Sequence, residues 1–303
     1  NYSRVYFKLM KIKINTFLLA TLLMLGSALL FTIMISAIRI ASNEVNAFII
    51  VFCRNLFGFI VIGPVLYKNG LSLLKTTKLK IYFLRSFVGL LAMFTWFHGV
   101  INTPLAEAVA LNFTMPLFVI IVAALVLNEN IKWRRWLATL IGFIGTLIIL
   151  KPGFQEISFG HAEILLSSLF MAIAFIIVKK LSLTEPTNRI VVYMLLINTP
   201  ISFFPALIYW EWPSFYMIIW LAMIGITGTF AHFMFTKSVS LVEITSIIPI
   251  DFSRLPMTAI VAYVFFLEKP SFDTFLGGTI IFLCTLYILN REMKKEKIKI
   301  NAD

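Results

Sequence analysis

Long apolar runs separated by short polar breaks make up almost the whole chain. They cover residues 17–38, 45–67, 82–99, 105–127, 133–150, 161–179, 189–208, 215–235, 242–266 and 272–289. Apolar residues occupy every side of these runs. The half-polar face that a surface helix of a soluble protein needs is missing. A helix crosses the roughly 30 Å hydrocarbon layer in about 20 residues, so the pattern predicts ten membrane-spanning helices. Barrel strands are a poor alternative, because they are about 10 residues long and alternate in polarity.

The breaks carry turn and charge signals: Ser42-Asn43-Glu44, Lys68-Asn69-Gly70, Asn102-Thr103-Pro104, Asn128-Glu129-Asn130, Lys151-Pro152-Gly153, Glu185-Pro186-Thr187, Glu211-Trp212-Pro213 and Glu268-Lys269-Pro270. The least marked breaks are Asn102–Pro104 and Ser240–Val242. Ten spans are kept because each merged run would be too long for one crossing. The first run follows a basic segment, but it is longer than a signal-peptide core and nine more follow it, so it reads as a span.

Basic residues orient the spans. With the N-terminus cytoplasmic, twenty-one of the 26 Lys and Arg fall in inside segments. Among them are Lys68, Lys75, Lys78 and Lys80 between the second and third runs, and Arg85 near the start of the third. Only Arg39, Lys151 and Lys269 fall outside, and Arg54 and Arg254 lie within spans. This asymmetry satisfies the positive-inside rule with both termini cytoplasmic. Trp133, Trp136, Trp210 and Trp212 near span ends fit an interfacial belt.

Composition agrees. The 303 residues are 60% hydrophobic and 13% charged, with a mean hydropathy of +0.95. A soluble domain is nearer 45–50% apolar and about 25% charged. The net charge of +12 could suggest nucleic acid. It is accounted for by loop placement, and no soluble basic stripe interleaves with aromatics. Cys53 and Cys284 both lie in apolar runs without a Cys/His cluster, so they read as packing residues rather than metal ligands or a disulfide.

A weak internal repeat is present. Met115-Pro116 leads to Asn128-Glu129, and Leu255-Pro256 leads to Leu267-Glu268; each is followed by a short link and a Gly-rich span, with Gly142 and Gly145 in one and Gly277 and Gly278 in the other. One unit of five spans used twice would account for this. Five is odd, so the second unit would enter the bilayer upside down, as in many carriers.

Polar groups inside the runs are the candidate site, because an ionisable group at mid-membrane is costly. Arg54 lies in the second run. Asp251 and Arg254 lie three apart in the ninth, on one helix face; an internal ion pair that merely offsets its own burial is the plain alternative. His232 is in the eighth run, Asn112 and Thr114 in the fourth, and Trp96 in the third. These seven are the candidate substrate-binding residues. Pro116, Pro249 and Pro256 interrupt backbone bonding inside spans, which either kinks a helix or frees carbonyls to line a cavity. No GxSxG, Walker or HExxH sequence occurs, so no catalytic residue, cofactor or metal is expected. Transport would then run on ion or substrate gradients.

These residues also resemble a known group. Pro104-Leu105-Ala106-Glu107-Ala108, Asn112-Phe113-Thr114-Met115-Pro116-Leu117-Phe118, Asn128-Glu129, Arg134-Arg135-Trp136, Gly142-Phe143-Ile144-Gly145 and Lys151-Pro152-Gly153 are similar to EamA-type transporters of the drug/metabolite transporter superfamily. So are Arg85-Ser86-Phe87 with Gly89, and Pro249 to Pro256 followed by Phe266-Leu267-Glu268. The resemblance covers nearly the whole chain. It implies an all-α integral membrane fold of ten helices, as two inverted five-helix repeats around a central cavity, working by alternating access. It implies repeats at 17–150 and 161–289, a cytoplasmic segment 1–16 and a basic cytoplasmic tail 290–303. Known cargoes of the family include amino acids, purines and other small metabolites, usually exported, and a similar group in intracellular bacteria imports S-adenosylmethionine. The abundance of Ile, Phe, Lys and Asn would suit an AT-rich genome of that kind. Asp251 and Arg254 depart from the plainer family pattern and argue against a purely hydrophobic cargo.

The leading expectation is a secondary carrier in a bacterial inner membrane, monomer or homodimer, without nucleic acid. It would move small polar or amphipathic metabolites by proton- or exchange-coupled export of amino acids or related compounds. S-Adenosylmethionine uptake is the alternative. A membrane-embedded lipid-modifying enzyme is a distant one, with His98, Glu107 and His161 its only loose candidates. A structural scaffold would carry mid-span charges at needless cost.

Overall fold

The structure, a computed structural model, describes residues 16–102, 111–112, 114–127, 133–150 and 159–266, with single positions between 272 and 287. The predicted tenth span, both terminal segments, and Glu107, Glu129, Glu268, Gly278 and Cys284 lie largely or wholly outside these residues.

The described residues are all-helical. Helices α1 (Thr16–Ala41), α2 (Ala47–Asn69), α3 (Leu79–Ile101), α4 (Met115–Val126), α5 (Trp133–Leu150), α6 (Phe159–Ser182), α7 (Thr187–Ile208) and α8 (Phe215–Leu241) follow in order. Next come one turn of helix, α9 (Ile244–Ile247), a 3-10 segment at Ile248–Ser253, and α10 (Arg254–Phe266). Six of these, α1, α2, α3, α6, α7 and α8, are long and apolar enough to cross a membrane.

Local chemistry sets the ends. Asn46 caps α2 by accepting from Phe48 N at 3.0 Å, and Ser214 caps α8 by accepting from Met217 N at 3.3 Å; both meet orphan first-turn donors. Helix α2 stops at Gly70, whose φ of +61° a side chain would oppose. Lys179 Nζ donates to the carbonyls of Val239 and Val242, closing the C-terminal end of α8 with a cation, where the helix dipole favours one. Lys179 is itself buried.

Exposed residues such as Leu125, Phe204, Ile208 and Ile260 form an apolar outside, as lipid requires. Polar side chains inside the spans mostly bond back within their own helix, as Thr32 does to Ala28 O and Thr227 to Met223 O. A few bond across. Ser27 Oγ donates to Ala231 O at 2.9 Å, joining α1 to α8. Ser167 Oγ donates to Ala92 O at 2.7 Å, joining α6 to α3.

The packing partners have an order. Helix α1 packs chiefly on α8, α6 on α3, and α2 on α7; α8 also packs on α2 and α7 on α3. Exchanging α1 with α6, α2 with α7 and α3 with α8 reproduces the same set of pairs. The two serine bonds obey the same exchange: Ser167 lies 140 residues beyond Ser27, and Ala231 lies 139 beyond Ala92.

The run 242–266 is not one helix. A proline inside it, Pro249, lacks the N–H that a continuous helix needs, and the backbone passes through the 3-10 segment before α10 begins. Helix α5 rests on this segment. A Cβ on Gly142 would lie 2.8 Å from Phe252 Cδ2, so only glycine admits the contact. The close approach at Gly142 is therefore within the chain.

Candidate functional site

Eight helices contribute to the wall of an internal cavity of about 90 Å³. Phe31 and Met34 come from α1, Arg54 from α2, Arg85, Met93, Trp96 and Phe97 from α3, and Met171 and Phe175 from α6. Met194 comes from α7, His232 from α8 and Arg254 from α10; Asn112 and Met115 complete the wall. Four aromatic rings and five thioethers thus surround a small set of polar heads. Aromatic faces and adaptable methionines suit a flat or polarizable ligand.

The sequence-nominated residues divide. Arg54, Trp96, Asn112, His232 and Arg254 line the cavity. Asp251 does not line it but bonds to a residue that does. Arg254 Nη2 donates to Asp251 Oδ1 at 2.7 Å, and the guanidinium lies 4.7 Å from the Phe31 ring centroid. His232 meets the same ring edge-on, with centroids 5.1 Å apart. Thr114 stands apart from the cavity. It precedes α4, and its hydroxyl donates to Leu111 O.

Arg54 is 2% exposed. Its Nη1 donates to Asn55 Oδ1 at 2.9 Å. Asn55 Nδ2 in turn donates to Ser202 Oγ, and that hydroxyl donates to Asn198 O. This chain ties α2 to α7 and fixes the direction of the guanidinium. Asn112 Nδ2 donates to Ser168 Oγ at 3.2 Å, holding it against α6.

Sequence reasoning missed Arg85. It counted this residue with the inside loop, because Lys75, Lys78 and Lys80 precede it. The helix instead begins at Leu79, and Arg85 is 4% exposed and lines the cavity. The available signal was Gly89, four residues on and hence on the same face. A Cβ there would lie 3.2 Å from Arg85 Nη1.

Several buried polar atoms have no hydrogen-bond partner among the described residues: Arg54 Nη2, Arg85 Nε, Arg254 Nε and Asp251 Oδ2. Orphaned polar atoms in a water-poor interior are destabilising, and Arg54, Arg85 and Arg254, three of the residues that carry one, line the same cavity. Among the described residues no group of three or more His, Cys, Asp or Glu could hold a metal ion.

Comparison with known proteins places this bundle. The model of the EamA-like transporter family matches residues 18–151 and again 158–290. The S-adenosylmethionine uptake transporter of Rickettsia prowazekii (strain Madrid E) is 32% identical over 257 residues, covering 85% of this chain and 87% of the relative. The riboflavin transporter of Vibrio cholerae serotype O1 is 29% identical over 280 residues, covering 90% of this chain and 94% of the relative. A solved crystal structure superposes with a TM-score of 0.77 at 15% identity, over 91% of this chain and 98% of the other, a likeness of fold. With both segments matched and relatives of this similarity, the chain belongs to the EamA-like transporter family within the drug/metabolite transporter superfamily, and is a multi-pass membrane transporter rather than an enzyme.

Proposed function

We propose that this protein is a secondary carrier that brings S-adenosylmethionine, or a close adenosyl amino acid, into the cell. The carrying observation is the cavity itself, in which aromatic and thioether walls enclose charged groups with open bonding positions. An adenosyl amino acid offers a flat heteroaromatic ring for the walls, a sulfonium for the aromatic faces, and a zwitterionic head for the charges. Riboflavin, the cargo named for a slightly less similar relative, is neutral and would leave those charges desolvated without return. Import rather than export, and an adenosyl rather than a plain amino-acid cargo, follow the relatives named for uptake.

The proposed architecture is ten helices in two inverted five-helix repeats, 17–150 and 161–289, with both termini cytoplasmic in a bacterial inner membrane. The exchange symmetry of the helix pairs supports it. The cavity is smaller than the roughly 300–1,000 Å³ of ordinary ligand pockets, so the helices must part to admit cargo. The interrupted run of α9, 3-10 segment and α10 is the proposed moving element, since backbone without regular helical bonding bends at low cost. Movement is proton- or exchange-coupled. Arg54, Trp96, Asn112, His232 and Arg254 are the proposed cargo contacts, with Asp251 acting beside Arg254; Thr114 serves α4.

The test is uptake of labelled S-adenosylmethionine into vesicles containing the purified protein. Saturable uptake, suppressed by unlabelled compound and absent from empty vesicles, is the expected result. Vesicles that accumulate riboflavin or an amino acid, but no S-adenosylmethionine, would replace this cargo with the one accumulated.

A further inference from the structure

We infer that Arg54 and Arg85 form a clamp for the carboxylate of the cargo, separate from the Asp251–Arg254 pair, and that this clamp makes the carrier select carboxylate-bearing ligands. The inference deepens the cargo reading above and can be tested apart from it.

Three guanidiniums, from Arg54, Arg85 and Arg254, line one cavity, and Asp251 is the carboxylate beside them. Asp251 is engaged by Arg254. Arg54 and Arg85 have no carboxylate partner among the described residues, yet both line the same small cavity. Two buried like charges at one cavity, without a carboxylate for either, is an arrangement that folding alone opposes. An anion between them relieves it.

Geometry points the same way. Arg54 Nη1 is directed by Asn55, leaving Nη2 buried and open; Arg85 leaves Nε buried and open. Each guanidinium also sits in a notch that a side chain would fill. A Cβ on Gly89 would meet Arg85 Nη1 at 3.2 Å, and a Cβ on Gly228 would meet Arg54 Nε at 3.1 Å. Gly228 lies 139 residues beyond Gly89, the same shift that relates Ala231 to Ala92. Two corresponding glycines, one from each half of the chain, thus make room for the two cations. Guanidinium donors match a carboxylate's two oxygens better than an ammonium would.

The test is a cycle between ligand and protein, read by calorimetric binding to the purified full-length carrier in detergent. The ligands are S-adenosylmethionine and its decarboxylated counterpart; the proteins are wild type, Arg54→Gln and Arg85→Gln. Wild type is expected to bind the decarboxylated compound roughly 10- to 100-fold more weakly, the span of one or two charge-assisted hydrogen bonds. In either variant the two ligands should bind with nearly equal, weak affinity. Empty Arg85→Gln should also unfold at a higher temperature than empty wild type, since an unbalanced buried charge is gone; a purely structural arginine would give a lower one. If Arg54→Gln does not fold, Gly228→Ala fills the notch while keeping the charge, and should narrow the same discrimination. Equal or tighter binding of the decarboxylated compound by wild type would overturn the clamp and leave the adenosyl cargo standing. So would a carboxylate preference unchanged in the variants. If wild type binds neither compound, the cargo reading fails instead. The clamp is then judged on phenylpyruvate, indole-3-acetate and malate: one that raises the melting temperature of wild type but not of Arg85→Gln sustains it, and none doing so overturns it.

Discussion

Where the α2–α3 link meets the α6–α7 link, a polar cluster is bonded through side chains and backbone carbonyls. Glu185 Oε1 accepts from Thr76 Oγ1 at 2.9 Å and Oε2 from Arg189 Nη1 at 2.6 Å. Arg189 Nε donates to Leu73 O, and Tyr193 OH to Leu74 O. At the internal cavity the polar cluster is built differently. Asp251 uses one oxygen, and Arg54, Arg85 and Arg254 each keep a buried nitrogen without a partner among the described residues. Water near the helix ends would make an unmade bond cheap; in the interior an unmade bond costs most. The carboxylate of the end cluster has both oxygens bonded, whereas the cavity arginines keep open bonding positions where an unmade bond costs most. The end cluster is fastening. The interior cluster is the proposed cargo site.

The largest effect expected from this contrast concerns Arg254. Arg254→Ala should lower transport more than 100-fold while the protein still inserts. Breaking a buried pair by removing one partner also destabilises, by roughly 3–5 kcal/mol, so loss of transport alone could reflect loss of fold. The double variant Asp251→Asn/Arg254→Gln removes both charges. Melting temperature and vesicle uptake, measured together, separate the meanings. Stability recovers and transport does not if the pair serves cargo. Recovery of both would reduce it to a self-compensating ion pair, and the contrast between the clusters would fail.

Much of this was readable from residue order, for reasons that also explain what was not. The long apolar runs predicted the six full-length spans because length and hydropathy are local properties. Arg54, His232 and Arg254 were readable because charge inside an apolar run is costly wherever it points. Arg85 was not, because it follows three lysines, and the start of a helix in a basic stretch is a matter of backbone bonding that composition does not mark. The break at Ile248–Ser253 was half readable: Pro249 announced a disturbance, but whether it made a kink or a 3-10 passage depended on α5 resting there through Gly142. Thr114 was nominated by its neighbourhood with Asn112, and its side chain turns back to its own backbone instead.

A smaller effect is expected at that Gly142 contact, which belongs to neither cluster but supports the interior one. Phe252 is 1% exposed and has no room to withdraw from a side chain at 142. Gly142→Val should overpack the interface at a cost of about 1–3 kcal/mol and push the 3-10 segment, with Asp251 beside it. Transport is expected to fall roughly tenfold with a lower melting temperature, and Gly142→Ala should fall between this variant and wild type. Unchanged transport in Gly142→Val would show that the position of the 3-10 segment does not govern the site.

The smallest effect is expected at the end cluster, and its form matters more than its size. Burial pushes the Glu185 carboxyl up, but hydrogen bonds from Arg189 and Thr76 and the charges of Arg189 and Lys78 outweigh it, and the group is held below its ordinary value of 4.5. A carboxyl that is lower in the folded state than in the unfolded state stabilises the fold fully above the ordinary value. That contribution is lost as the pH falls through the lowered one. Glu185→Gln should therefore cost on the order of 1 kcal/mol at neutral pH, the scale of one charge-assisted bond, and leave vesicle uptake within about twofold of wild type. The gap in melting temperature between wild type and variant should close as the pH drops below 4.5 toward the lowered value, because the protonated carboxyl of Glu185 and the amide of the variant then bond alike. A gap that stays constant with pH would mean that the carboxylate charge contributes nothing at this end. A large loss of uptake in Glu185→Gln would make the end cluster part of the transport machinery, and the division between a fastening end and a ligand-binding interior would have to be redrawn.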